Sequence, residues 1–162
     1  MTTTNEIMRK ILALLLGCHL SLAAFAQTQA PDKADRDAAE AVIHSLQERW
    51  NRGDMTGYLA RYKQDDSLRL AFGNTIVEGW GALDTLFRAT YPDPERMGRF
   101  TIDRIETRLV DGDTALAVGN FTHVFPHETI KGGFTHVLQR ADARAWVIVH
   151  ERTSRGEVII TE

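Results

Sequence analysis

Apolar residues in the first third of the chain recur at the spacing of a helix. The stripe consists of Ala39, Val42, Ile43, Leu46 and Trp50. Intervals of three and four residues place these side chains on one helix face, and Gly53 is the expected end of that helix. Asp54 is expected to cap a second, shorter helix with the apolar face Met55, Tyr58, Leu59 and Tyr62. A third helix, with Leu83, Leu86, Phe87 and Tyr91, is expected to stop at Pro92.

The second half of the chain changes to the alternating pattern of strands. The expected strands are residues 68–72, 75–77, 100–110, 114–125, 133–140 and 145–153. Gly73-Asn74 and Asp111-Gly112 are typical two-residue hairpin connections. The sequence therefore predicts an α+β domain in which the helices come first and the later strands form an antiparallel meander.

One expected strand carries an apolar side chain on both faces. Trp146, Val147, Ile148 and Val149 follow one another without a polar residue, so both faces of this strand need a cover. The helices can cover one face. We expect a second copy of the chain to cover the other, in a homodimer formed through the back of the sheet.

Composition limits the class of protein. The 162 residues are 43% apolar and 25% charged, as in one globular domain. A net charge of −3 leaves no excess of cations to bind nucleic acid. The single cysteine excludes an intramolecular disulfide and a cysteine-based zinc site.

The first 26 residues have the pattern of a signal peptide. A basic segment at 8–10 precedes an apolar run, and Ala24-Phe25-Ala26 is a small-x-small cleavage site. The run is shorter than the roughly 20 residues of a membrane-spanning helix. We therefore expect no membrane span, a lead-in over 27–35, and a periplasmic or secreted protein. In the alternative reading, Leu15-Leu16-Gly17-Cys18 is a lipoprotein box and Cys18 is lipidated.

A set of ordered motifs resembles a known family. They are Trp50-Asn51-x-Gly53-Asp54, Glu78-Gly79-Trp80, Tyr91-Pro92, Met97-Gly98, Gly133-Phe134-Thr135 and Trp146-Val147-Ile148-Val149-His150-x-x-Thr153-Ser154. In order and spacing they resemble the nuclear transport factor 2-like superfamily, and most closely its SnoaL-like branch of unknown function. The resemblance covers residues 36–156 and leaves a tail at 157–162. The last strand is also similar to the association domain of calcium/calmodulin-dependent kinase.

The resemblance implies a cone-shaped fold with three N-terminal helices packed on a curved, mostly antiparallel six-stranded sheet that encloses a pocket. Members are usually dimeric, and they include isomerases, dehydratases, cyclases, epoxide hydrolases and non-catalytic modules. In the ketosteroid isomerases of this superfamily, a general-base aspartate lies on the first strand after a double-acid turn. That turn matches Asp65-Asp66, and the base position falls near Ala71, where no carboxylate is present.

Three histidines are candidate catalytic residues. His123, His136 and His150 lie on successive expected strands. Each is an even number of residues from apolar neighbours in its strand, so it is expected on the same face of the sheet as they are. Imidazole can transfer protons near neutral pH and bind metals. The alternative is a cross-strand pair on the sheet surface without a catalytic role. We expect no metal site, because the sequence has no H-E-x-x-H spacing.

Arg152 is the fourth candidate catalytic residue. It follows His150 and Glu151, and its guanidinium can stabilise a carboxylate or an enolate oxygen in a pocket. In the alternative reading, Glu151 and Arg152 are charges at the pocket rim or in a dimer interface.

Aromatic residues are the candidate ligand-binding set. They are Trp50, Tyr58, Tyr62, Phe72, Trp80, Tyr91, Phe121 and Phe134. Tyr58 and Tyr62, one turn apart, form the preferred pocket pair, although core packing is the alternative for most members. No glycine-rich phosphate loop and no G-x-S-x-G motif is present, so no organic cofactor is expected.

Three functional classes remain. The first is an exported domain that binds a small organic molecule in an aromatic pocket. The second is a cofactor-independent lyase, isomerase or hydrolase with a pocket histidine as general acid or base. The third is an assembly domain. Because no spacing fixes an acid/base pair, the sequence favours binding.

Overall fold

The structure is a computed structural model that describes residues 32–142 and 145–160. The expected signal peptide, Cys18 and most of the expected lead-in lie outside these residues. No helix within the described ranges is long and apolar enough to cross a membrane.

Four helices occur in the described chain. α1 covers residues 32–51, and it therefore includes part of the expected lead-in. The others are α2 (Met55–Leu59), α3 (Trp80–Thr90) and α4 (Pro94–Met97). Gly53 has φ 72° and follows α1, and the Asp54 side chain caps α2 by accepting a hydrogen bond from the Gly57 amide at 2.8 Å. Both features agree with the sequence pattern.

The sequence pattern does not predict the short helix α4, because Pro92-Asp93-Pro94 indicates only the end of α3. Proline is tolerated in the first turn of a helix, where its missing N–H has no intrahelical acceptor. Asp93 caps this turn by accepting from the Arg96 amide at 3.0 Å. The same residues thus end one helix and begin another.

Six strands form one sheet. They are β1 (Arg69–Phe72), β2 (Thr75–Glu78), β3 (Arg99–Leu109), β4 (Thr114–Val124), β5 (Glu128–Arg140) and β6 (Trp146–Ile160). Their order in the sheet is β2-β1-β6-β5-β4-β3, and only the β1–β6 pair is parallel. The expected antiparallel meander from β3 to β6 is confirmed.

β5 and β6 are longer than expected. β5 begins at Glu128 and β6 ends at Ile160, and these two residues pair with each other. The added segments contain Lys131, Gly132 and Gly156, which are poor strand formers by composition. Backbone pairing between the two strands stabilises segments whose side chains do not indicate a strand.

Helix α1 covers the edge strand β3 with polar side chains. Asn51 donates to the carbonyl of Phe100 at 2.7 Å and accepts from the amide of the same residue at 2.8 Å. Gln47 accepts from the Ile102 amide at 2.6 Å. These bonds satisfy backbone groups that an edge strand leaves unpaired, and they fix α1 against the sheet.

A β-bulge in β6 changes which side chains face the core. Val137 pairs with His150 and Leu138 pairs with Ile148, so Val149 is the extra residue. Up to Ile148 the even-numbered positions are buried, but after the bulge Glu151 is buried and His150 is only partly buried. The expectation that His150 shares the face of Ile148 is wrong, because one extra residue inverts the alternation.

Candidate functional site

Side chains from α1, α2, α3 and the sheet line one cavity of about 590 Å³. Its aromatic members are Trp50, Tyr58, Phe72, Phe87, Tyr91, Phe100, Phe121, Phe125 and Phe134. The polar and charged side chains on its wall include His123, His136, Glu151, Thr153 and Arg155. The cavity is therefore mainly aromatic, with few polar positions.

Trp50 is held in place by one hydrogen bond and by contacts with two tyrosine rings. Its Nε1 donates to the carbonyl of Met97 at 2.7 Å. Tyr91 and Tyr58 lie edge-on to it, with ring centroids 4.8 and 5.1 Å away. The indole polar group is thus satisfied within the protein, and the ring serves as a rigid wall.

His123 donates to the same carbonyl. Its Nε2 lies 2.6 Å from the Met97 oxygen, and because a carbonyl only accepts, Nε2 carries the hydrogen. Burial lowers the pKa of His123 below its ordinary value of 6.5, and the charge of Arg155 acts in the same direction. This ring is therefore neutral at neutral pH and holds α4 to β4.

A buried polar cluster lies between α2 and strands β5 and β6. It consists of Tyr58, Tyr62, His136, Glu151 and Thr153, and we call it the Tyr–Glu–His cluster. The Glu151 Oε2 atom lies 2.6 Å from the Tyr62 hydroxyl and 3.4 Å from His136 Nε2, and its Oε1 atom lies 2.7 Å from the Thr153 hydroxyl. The hydroxyls of Tyr58 and Tyr62 are 3.1 Å apart.

The direction of the hydrogen bonds follows from the acceptor at the centre. An ionised Glu151 can only accept, so Tyr62 and Thr153 donate to it. Tyr62 then has no second hydrogen to donate, and Tyr58 donates to the Tyr62 oxygen. Tyr58 lines the cavity, so this chain connects the cavity wall to the buried carboxylate.

The electrostatics of the cluster favour an ionised Glu151 beside neutral tyrosines. Burial raises the pKa of Glu151, but the positive charge that His136 carries when protonated and hydrogen bonds from His136, Thr153 and Tyr62 outweigh it, and the net pKa lies below its ordinary 4.5. Burial, and then the Glu151 charge, raise the pKa of Tyr58 and of Tyr62 well above 10.0. The carboxylate is thus an acceptor and a weak base.

His136 has one nitrogen in use and one unpaired. Its residue exposure is 5%, its Nε2 lies against Glu151, and its Nδ1 is buried with no hydrogen-bond partner in the described part of the chain. A buried polar atom without a partner is costly in a folded protein. Because His136 also lines the cavity, this nitrogen is a candidate contact for a bound molecule.

Two phenylalanines lie against glycines of the neighbouring strand. A Cβ on Gly119 of β4 would collide with the Phe134 ring, and a Cβ on Gly132 of β5 would come within 2.6 Å of the Phe121 ring. Gly119 pairs with Phe134, and Gly132 pairs with Phe121. The absence of a side chain lets both rings lie flat on the sheet, where they form part of the cavity wall.

The structure separates the expected site residues into two groups. Those that line the cavity are Trp50, Tyr58, Phe72, Tyr91, Phe121, Phe134, His123 and His136. Tyr62 is 1% exposed behind Tyr58 and reaches the site only through hydrogen bonds. Trp80 is absent from the cavity wall, and its Nε1 donates to the Leu59 carbonyl at 3.2 Å, which joins α3 to α2.

His150 and Arg152 also lie outside the cavity. Arg152 is exposed and lines a groove with Arg104 and Val118 on the other side of the sheet. The bulge at Val149 is the reason for both corrections, because it turns His150 and Arg152, which follow it, away from the cavity.

Sequence reasoning missed the central residue of the cluster. Its position in the sequence suggests a charge at the pocket rim or in an interface, yet Glu151 is 5% exposed and faces the cavity. The segment from Trp146 to Val149 is apolar at every position. The sequence therefore has no alternation that would indicate which residues after the bulge face the cavity. Arg155 and Thr153 were missed as wall residues for the same reason.

No group of three or more histidine, cysteine or acidic side chains within residues 32–142 and 145–160 is arranged to hold a metal ion. Ala71, near which the resemblance puts the isomerase base, is not among the residues that line the cavity.

Comparison with known proteins rests on structure. No protein-family model matches the chain, and no curated protein matches it. A nuclear transport factor 2-like protein of unknown function from Shewanella oneidensis is 29% identical with a TM-score of 0.66, and the match covers 73% of this chain and 97% of that one.

Two further structures share the fold. A candidate scytalone dehydratase from Novosphingobium aromaticivorans is 12% identical, with a TM-score of 0.64 over 82% of this chain and 91% of that one. A candidate ketosteroid isomerase from Parabacteroides distasonis is 20% identical, with a TM-score of 0.58 over 71% and 86%. The family resemblance found in the sequence is confirmed. The chain has the fold of the nuclear transport factor 2-like proteins.

Proposed function

We propose that the protein binds a small organic molecule in the aromatic cavity between helices α1–α3 and the sheet. The observation that carries the proposal is the combination of aromatic walls with the buried Tyr–Glu–His cluster in one cavity. The volume of about 590 Å³ lies in the usual range for small-molecule sites. Aromatic walls bind the apolar part of such a molecule, and the cluster binds a hydroxyl or carbonyl group.

Two features support a position for that polar group near Tyr58 and His136. The Tyr58 oxygen and the unpaired Nδ1 of His136 both belong to side chains on the cavity wall. A hydrogen-bonding ligand removes the cost of an unpaired buried nitrogen. The likeness to structures described as a ketosteroid isomerase and a scytalone dehydratase supports the use of this fold for small organic molecules.

The test is a ligand screen with a matched pair of variants in β2. Thr75 is exposed and lines the cavity, whereas Ile76, its neighbour, is 68% exposed and does not. Native mass spectrometry and thermal-shift screening identify molecules that bind the wild-type protein. Thr75→Trp fills part of the cavity entrance and should weaken binding at least tenfold, while Ile76→Trp should leave it unchanged. Equal effects of the two variants would show that the ligand binds elsewhere.

Export belongs to the same proposal. Residues 1–26 carry the signal-peptide pattern, and we propose a periplasmic or secreted protein. Expression of the full chain in a bacterial host, followed by intact-mass measurement, tests this. Cleavage after Ala26 supports a soluble exported protein, cleavage before a lipidated Cys18 supports the lipoprotein alternative, and an uncleaved cytoplasmic chain contradicts both.

Homodimer formation through the back of the sheet is the proposal for assembly. Val118 is 45% exposed on the side of the sheet that carries Arg152. A Val118→Glu variant should shift the sedimentation coefficient from dimer to monomer. Val110 is 62% exposed in the β3–β4 connection, so Val110→Glu is the matched control and should remain dimeric.

A second candidate function is cofactor-independent acid–base catalysis, as in a lyase, isomerase or hydrolase. The specific observation is the Glu151–His136 pair, in which Nε2 faces the carboxylate and Nδ1 is unpaired. With the hydrogen on Nε2, neutral His136 has a lone pair on Nδ1 that can accept a proton. The electron pair of the broken C–H bond moves to a carbonyl oxygen, and the neutral Tyr58 hydroxyl stabilises the resulting enolate by turning its hydrogen from the Tyr62 oxygen to the enolate oxygen.

Kinetics distinguish this candidate from simple binding. Once the screen gives a ligand that is turned over, His136→Gln should lower kcat by about 100-fold or more and change KM little, since general acid–base catalysis contributes about that much. His150 lies outside the cavity, so His150→Gln is the control and should keep the wild-type kcat. Full activity in His136→Gln would exclude the mechanism and leave the binding proposal intact.

A further inference from the structure

We propose that the molecule bound in the cavity is an amphipathic organic anion and that Arg155 binds its anionic group. The inference rests on the proposed binding function and names the class of ligand. Its basis is the position of Arg155 on the cavity wall, the lack of an ion-pair partner and the placement of the other charges around the cavity.

β6 places three polar side chains in a row on the cavity face. After the bulge at Val149, Glu151, Thr153 and Arg155 all line the cavity. An extended strand rises about 3.3 Å per residue, so the α-carbons of Glu151 and Arg155 are about 13 Å apart. The row has a buried carboxylate at one end and an exposed guanidinium at the other.

Arg155 has no carboxylate within 4.0 Å in the described part of the chain, in contrast to Arg49 and Arg88, which pair with Asp54 and Asp84 at 2.6 and 2.8 Å. A guanidinium presents a planar set of donors that matches a carboxylate or sulfonate. The unpaired arginine on a cavity wall is therefore suited to an anion supplied by the ligand.

Other groups near the entrance define the local charge. The Arg155 charge lowers the pKa of Tyr91 and of His123, while Glu128 acts in the opposite direction on both. Arg155 and Glu128 thus both act on this end of the cavity. The rings of Tyr91 and His123 are neutral at neutral pH, so Arg155 is the positive group on the cavity wall there.

The charges also set the orientation of the ligand. At the inner end of the cavity the buried Glu151 carboxylate lies against His136 Nε2 and accepts from Tyr62 and Thr153, so any positive charge on His136 already has a partner, whereas Arg155 has none within the described residues. The anionic group therefore lies at Arg155, the aromatic or alicyclic body lies between the phenylalanines, and an uncharged polar group lies at the Tyr–Glu–His cluster.

β6 offers a matched control for the guanidinium. Arg152 is three residues earlier in the same strand and is also exposed, but it lies on the other side of the sheet. Arg155→Gln and Arg152→Gln change the net charge of the protein equally. Only the first changes the charge on the cavity wall.

Two fluorescent probes that differ in one group provide the measurement. Anilinonaphthalene sulfonate carries a sulfonate, and phenylnaphthylamine is the same aromatic framework without it. Both probes should bind the wild-type protein, and added salt should weaken the binding of the sulfonate probe only. Arg155→Gln should lower the affinity for the sulfonate probe roughly fivefold, which is the upper range for an exposed ion pair, and should leave the affinity for phenylnaphthylamine unchanged. Arg152→Gln should change neither affinity.

The outcomes separate this inference from the proposed function. If wild-type protein binds both probes and Arg155→Gln affects them equally, or Arg152→Gln matches its effect on the sulfonate, the role of Arg155 is wrong and the binding function stands. If Thr75→Trp leaves the binding of both probes unchanged, or neither probe binds folded wild-type protein, the cavity proposal fails and this inference fails with it.

Discussion

Glu151 lies directly opposite His136 across strands β6 and β5, with its Oε2 atom 3.4 Å from Nε2. Both residues are 5% exposed. The pairing depends on the extra residue Val149, since without the bulge the alternation of β6 would place His150 at this position. A one-residue irregularity in a strand thus brings a carboxylate to the cavity and positions the polar cluster.

The hydroxyl of Tyr62 contributes more stability than the hydroxyl of Tyr58. Tyr62 donates to an ionised carboxylate at 2.6 Å, and Tyr58 donates to a neutral oxygen at 3.1 Å. Tyr62→Phe should lower the free energy of unfolding by about 1.5–3 kcal/mol, and Tyr58→Phe by about 0.5–1.5 kcal/mol. Urea unfolding of the two variants at neutral pH measures both. An equal or reversed order would contradict the direction of donation derived for the cluster.

Glu151 makes stability depend on acid pH. The folded-state pKa of Glu151 lies below its ordinary 4.5, so the folded protein binds this proton more weakly than the unfolded chain. The stabilisation is complete above pH about 4.5 and is lost as the pH falls through the folded-state pKa. Glu151→Gln should be less stable at neutral pH and should lose less stability on acidification.

Urea unfolding between pH about 3 and about 7 measures this dependence. Glu157, an exposed carboxylate that pairs with Lys131 at 3.2 Å, provides the control. Glu157→Gln should retain the wild-type slope. A Glu151→Gln variant with the same slope as the wild type would show that Glu151 is not the group responsible.

Much of the fold follows from local pattern in the sequence. The helix stripe that ends at Gly53, the Asp54 cap and the Gly73-Asn74 hairpin each depend on residues close together in the chain, and all three agree with the structure. The strand ends at Glu128 and Ile160 depend on backbone pairing between distant segments. Local composition contains no signal for such pairing, so the expected strands were too short.

The candidate site was less predictable for a specific reason. Parity assigned His123 and His136 to the buried face, and both line the cavity. The same alternation gives the wrong face after Val149, where the bulge adds one residue. The sequence therefore predicts His150 and Arg152 as site residues, whereas Glu151 and Arg155 line the cavity. Tyr62 and Glu151, 89 positions apart, meet only in the folded chain, and no motif spacing links them.

His123 adds a second pH window. Burial, the largest effect, lowers its pKa below the ordinary 6.5, so the folded protein binds this proton more weakly than the unfolded chain. The contribution is complete above pH about 6.5 and is lost as the pH falls through the folded-state pKa. His123→Gln keeps a donor for the Met97 carbonyl and should reduce the loss of stability between pH about 6.5 and about 5.

Thermal unfolding across this pH range gives the comparison. His150, which lies outside the cavity, is the matched residue. His150→Gln should keep the wild-type dependence of stability on pH. If both variants flatten the profile equally, the window does not belong to the buried ring of His123.

Two glycines on neighbouring strands should differ in the stability lost when one methyl group is added. At Gly119 a Cβ would collide with the Phe134 ring and with the Arg104 carbonyl, whereas at Gly133 the nearest atom would be 3.6 Å away, an ordinary contact. Gly119→Ala should therefore cost about 1–3 kcal/mol of unfolding free energy, as overpacking does. Gly133→Ala should change it by less than about 0.5 kcal/mol.

The Gly119 variant also tests the cavity wall. A methyl group there displaces the Phe134 ring from the sheet toward the cavity, which Phe134 lines. Phenylnaphthylamine should then bind Gly119→Ala more weakly than Gly133→Ala, with both variants still folded by circular dichroism. Equal affinity together with a stability loss confined to Gly119→Ala would separate the packing role of the glycine from the binding site and would place the probe away from Phe134.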